Sequence, residues 1–167
     1  MFLQKIHSQS GSSLVEMLAT VLLLGIMGTA LVSGIGMIQN THDKIVCRSN
    51  EQVLLSTTLI EMKDWIRYST EFNEETGRFR TADGIWFAFR NDDAGIQIDF
   101  YSDKDGTTAS DSIPVVPNAN GEISGIRSSY QQIEKTDGAY IIRNIHVGRS
   151  DDTGISIEES AVSALHR

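Results

Sequence analysis

The chain has 167 residues and a formal net charge of −8, from 14 basic and 22 acidic side chains. Beyond Thr70 there are 9 basic and 17 acidic residues, so the whole excess falls on the distal part; such a surface repels phosphate backbones and argues against general nucleic-acid binding. Cys47 is the single cysteine, which excludes an intramolecular disulfide.

Residues 1–10 contain Lys5 and His7 but no long apolar run. Residues 17–38 then form a stretch of 22 without a charge. A helix over 14–38 reaches roughly 37 Å, enough to cross a hydrocarbon layer of about 30 Å. Lys5 ahead of it favours a cytoplasmic N-terminus and an exported C-terminus. The run is longer than the core of an ordinary secretory signal, and its acid stands in front of it. That acid, Glu16, lies two residues inside the apolar stretch. An ionised group at the centre of a membrane helix costs about 2.5–3.5 kcal/mol, and less near the edge. Two readings follow. Cutting after Gly11 would free the α-amine of Ser12, a cation about one turn from Glu16 in its own helix and within reach of a staggered neighbour's. Otherwise Glu16 is a glutamate at the headgroup boundary that needs no partner. Gly25, Gly28, Gly34 and Gly36 punctuate the span; they allow close helix packing, or local stretching when helices pack side by side.

The run Gly11-Ser12-Ser13-Leu14-Val15-Glu16-Met17-Leu18 behind a short leader resembles the type III signal of type IV prepilins and pseudopilins. The resemblance implies that a membrane peptidase cuts after Gly11 and methylates the new amine of Ser12. It also implies that Glu16 is the assembly acid, pairing with an amine in a filament core. That family usually carries phenylalanine where this chain has Ser12. Many of its Gram-negative members also have a C-terminal disulfide loop, which a lone Cys47 cannot form. Both departures favour a minor subunit over a major one, and the second also fits a Gram-positive source.

Past Ile38 the pattern predicts an amphipathic continuation. Val46, Val53 and Ile60 repeat at seven, while Leu55, Leu59, Met62 and Ile66 step by four, three and four. Merged, they make a broad apolar face that Trp65 and Tyr68 extend, suited to covering a sheet. One helix from 12 to about 70 is expected, ending before Thr76-Gly77. From Arg78 the period becomes two. Ile85, Phe87 and Phe89 alternate with Trp86, Ala88 and Arg90, and Ile96, Ile98 and Phe100 with Gln97, Asp99 and Tyr101. These predict antiparallel strands joined through 91–95. Residues 102–121 read as irregular. Strands over 130–135 and 139–147 flank Asp137-Gly138, and a last one is expected over 155–158. The order, helix first and antiparallel sheet after, predicts an α+β fold: a leader at 1–11, a transmembrane and filament-core half-helix at 12–38, an amphipathic half at 39–76 and a small β-rich domain at 77–167. It is also the order of pilin-like subunits.

Catalysis is not expected. His7, His42, His146 and His166 are scattered, Cys47 has no nearby base in sequence, and neither a phosphate-cradling loop nor paired zinc-ligand spacing is present. No cofactor is expected. Asp103, Asp105 and Asp111 form the weak candidates for Ca²⁺. An EF-hand frame with Gly106 in sixth place puts Tyr101 first and Ser112 twelfth, which fails the ligand pattern.

The expected function is that of a non-catalytic filament subunit, a minor pilin or pseudopilin of a type IV pilus, secretion pseudopilus or competence pilus. Its partners would be other subunits, the prepilin peptidase, the assembly platform and the cytoplasmic membrane. It would begin as a single-pass membrane protein with its C-terminal domain outside and end in a surface or periplasmic filament. The alternative is a membrane-anchored extracytoplasmic binding protein that never polymerises.

Overall fold

A computed structural model describes residues 14–117, 125–150 and 153–163. Gly11, Ser12, His7 and His166 lie outside them. The chain divides into two units, one ending at Ile45 and the other beginning at Val46.

The long helix is α1, Leu14–Arg67, and it runs without a proline. In the first unit its apolar side chains, from Leu14 to Ile45, are exposed. Its hydroxyls turn back on their own backbone. Thr20 donates to the Glu16 carbonyl at 2.7 Å, Thr29 to Ile26 at 2.8 Å and Ser33 to Thr29 at 2.9 Å. A helix in a solvent without hydrogen-bonding partners satisfies its hydroxyls in this way. This helix is long and apolar enough to span a membrane.

In the second unit the distal part of α1 packs on antiparallel strands, so the fold is α+β. Five strands form a meander: β1 (Glu71–Asn73), β2 (Arg78–Arg80), β3 (Trp86–Asp92), β4 (Gly95–Tyr101) and β5 (Asp111–Pro114). A second sheet holds β6 (Arg127–Ser129), β7 (Gln132–Thr136), β8 (Ala139–Ser150) and β9 (Thr153–Ser163). The strand β8 pairs with β9, and also with both β7 and β6. Asn144, at φ 47°, stands in β8 between the stretch that pairs with β7 and the one that pairs with β6. Asp137 and Gly138 both take positive φ between β7 and β8, which is the hairpin geometry that an Asp-Gly pair favours.

The core joins Leu54, Leu55, Met62 and Ile66 of α1 to Phe79, Phe87, Phe89, Ile96 and Ile98 of the meander and to Tyr140, Ile142, Ile145 and Val147 of β8. Trp65 meets Phe87 and Phe100 edge-on, with centroids 5.2 and 5.7 Å apart.

Several expectations are corrected. The seven-residue set does not join the core face: Val46, Val53 and Ile60 are 42, 59 and 57 % exposed. At 3.6 residues per turn Met62 lies about half a turn round from Val53, so the two apolar sets occupy opposite sides of α1. The helix ends at Arg67, close to the expected end near Thr70 but short of the 39–76 bound, where the Ser69 hydroxyl and amide both bond the Ile66 carbonyl. Phe72 is then free to leave the helix and pack on Phe79 and Tyr140 in β1. Gly77, at φ 66°, serves the β1–β2 turn. Ile85 is exposed and Trp86 buried, the reverse of the expected faces, because Ile85 precedes β3 in the turn where its amide bonds the Thr81 hydroxyl. The segment read as irregular contains β5, paired to β4. The described residues form two sheets, where one is expected.

Candidate functional site

Glu16 stands in the first turn of α1, where the helix dipole favours an acid. Its backbone carbonyl is held by Thr20, and apolar side chains surround it in sequence. Gly11 and Ser12, the expected processing residues, lie outside the described residues. A Cβ built on Gly25, Gly28, Gly34 or Gly36 meets nothing within 4 Å. The helix is continuous through all four, so nothing among the described residues requires glycine there.

The second feature is the stripe Val46, Val53 and Ile60. These three side chains are exposed, on the side of α1 turned away from the buried Leu55, Met62 and Ile66. Sequence reasoning named these residues but merged them with the core face, since a helical wheel of two interleaved apolar sets does not say which one the sheets cover.

The acidic loop is organised by an arginine. The Arg78 guanidinium donates to the carbonyls of Asp103 at 3.4 Å, Lys104 at 2.7 Å and Gly106 at 2.5 Å. It also lies 3.7 Å over the Tyr101 ring. Asp103 Oδ1 accepts from the Asp105 amide at 3.1 Å, and Asp111 Oδ1 from the Ser112 amide at 2.8 Å. Asp103 thus caps the turn that contains Asp105, whereas Asp111 bonds its own neighbour at the start of β5. Among the described residues no three His, Cys, Asp or Glu side chains converge as metal ligands. His42 sits beside Asp43 on the exposed helix at 3.7 Å. The Cys47 thiol donates to the buried Glu51 at 3.7 Å.

Two polar constructions were not foreseen. Asp99, 5 % exposed, accepts from Arg90 Nε at 2.6 Å and from the Ser112 hydroxyl at 2.6 Å. Burial pushes its carboxyl up, but the hydrogen bonds from Arg90 and Ser112 outweigh this and hold it below the ordinary value. Asn91 clasps the Tyr130 backbone with both side-chain atoms, at 2.7 and 3.1 Å. The Tyr130 hydroxyl donates to the Phe89 carbonyl at 2.6 Å. Burial, with the Asp99 charge adding to it, raises the Tyr130 hydroxyl to about 12. The clasp ties the meander to the segment between β6 and β7. Its only sequence signal is Asn91 in an expected hairpin turn, and the partner is 39 residues away.

Fold and site together define an α+β protein whose N-terminal helix is long and apolar enough to span a membrane. Compared with protein-family models, characterised proteins and solved structures, the chain matches none.

Proposed function

We propose that the chain is a non-catalytic structural subunit, a minor pilin or pseudopilin of a type IV pilus or of a secretion or competence pseudopilus. A prepilin peptidase trims it after Gly11, and it assembles from the cytoplasmic membrane through its N-terminal helix. The observation that carries this reading is the exposed stripe Val46, Val53 and Ile60. A helix that only anchors a domain has no use for an apolar face beyond the bilayer, whereas one that packs sideways on other subunits does. The prepilin-like residues Gly11, Ser12 and Glu16 support the same reading, with Glu16 setting one subunit's register against the next. The neighbouring subunits, the peptidase and an assembly platform are the partners it requires.

Replacing Glu16 with alanine separates this from a membrane-anchored binding protein. Export and membrane anchoring are expected to persist, while recovery of the variant in sheared filaments falls at least tenfold relative to the native chain. Undiminished incorporation overturns the assembly role. N-terminal sequencing of mature material is expected to begin at Ser12; a start at Met1 or beyond Ala30 overturns the processing.

A further inference from the structure

The domain is acidic as a whole, yet one cleft of about 370 Å³ gathers Arg127, His146 and Arg149 together with Ser129, Gly148 and Asp92. The strand register explains the gathering. Arg127 pairs with Gly148, and Ser129 with His146. Alternation puts Arg127 and Ser129 on one face of β6, and their partners Gly148 and His146 on the same face of β8. Arg149 would alternate to the other face, but the pairing of β8 with β9 is irregular between Val147 and Ser150, and Arg149 lines the same cleft. The opposite face of β6 is committed to the meander, where the Ser128 hydroxyl accepts from the Ile96 amide at 3.3 Å. Gly148 carries no side chain, and the Thr153 carbonyl oxygen packs where one would stand. The acid in the cleft, Asp92, shares Arg90 with the buried Asp99, at 3.1 Å from the guanidinium. Among the described residues, the acid paired with Arg127 is the exposed Asp93, at 3.8 Å.

We propose that this cleft binds a small ligand through a compact oxyanion, a phosphate or a carboxylate. Guanidinium groups offer planar forks of N–H donors that match either group, and a serine hydroxyl and an imidazole beside them supply further donors. The volume lies at the small end of ligand clefts. A duplex calls for a row of phosphate contacts that two arginines in an acidic chain do not make. The proposal is independent of filament assembly, since none of its residues lies on α1.

The test uses the full chain in maltoside micelles, at constant ionic strength set with chloride, titrated with inorganic phosphate and separately with malonate. The ¹⁵Nε resonances of Arg127 and Arg149 are expected to shift together and saturate, with a dissociation constant of about 1 mM or tighter for at least one anion. Arg143, already held by Glu134 and Glu159, is expected not to move. In the R127Q/R149Q double variant binding weakens by about tenfold or more. Absence of saturation, or equal shifts at Arg143, overturns the proposal from the native chain alone, whatever the double variant's stability. Retained affinity in a folded double variant overturns it too. Preference between phosphate and malonate assigns the oxyanion. A shift on moving to nanodiscs containing phosphatidylglycerol, with no phosphate added, assigns it to a lipid headgroup.

Discussion

Asp99 illustrates how a single residue changes meaning between sequence and structure. In the alternating strand it is one of the outward polar positions, yet it is buried and bonded to Arg90 and Ser112. Replacing it with asparagine removes a charge-assisted pair and is expected to cost about 1–3 kcal/mol at neutral pH, read from urea midpoints. The sign of the pH dependence follows from its depressed folded value. The stabilisation is fully present above the ordinary carboxylate pKa of about 4 and is lost as pH falls through the folded one. The gap between the native chain and D99N therefore closes on acidification; a gap that widens below pH 4 contradicts the pairing. Gly148 makes a second case. A Cβ there stands 1.8 Å from the Thr153 carbonyl oxygen. Because that obstacle is backbone, Gly148→Ala is expected to destabilise by about 1–3 kcal/mol, visible as a lowered thermal midpoint.

Among the elements, α1 holds two apolar sets with different duties. Met62 is fully buried in the core, whereas Ile60 is exposed. Met62→Ala is expected to cost about 2–5 kcal/mol in unfolding free energy. Ile60→Ala is expected to leave stability within about 0.5 kcal/mol and, on the proposed assembly, to lower incorporation into filaments. Equal unfolding costs would mean that both faces are covered within the chain. The strands were partly legible. Ile96, Ile98, Phe87 and Phe89 alternate and are buried as the pattern requires, and Asp137-Gly138 makes its turn. The three-residue strands β1 and β6, and β5 of four, were not foreseen. So short a strand completes no period, and it exists because a neighbouring strand supplies its hydrogen bonds.

For the molecule as a whole, the decisive quantity is the apolar surface of the first unit, whose described apolar side chains are exposed. It is expected to hold the protein in the membrane fraction through high-salt and alkaline carbonate washes, with release only by detergent. Release by salt alone would show that the helix does not insert.

Residue order was enough to specify the uncharged stretch, the acid at its front, the processing-like residues and the change of period from helix to strand. Each of these depends on neighbours a few positions apart, where side-chain periodicity and charge act directly. Which side of α1 is covered, that two sheets share the domain, and that Arg127, His146 and Arg149 meet in one cleft were decided only by tertiary structure. Those outcomes rest on contacts between residues tens of positions apart, and on backbone pairing that carries no side-chain signature. The competition between equally apolar faces is settled by which one the sheets can reach.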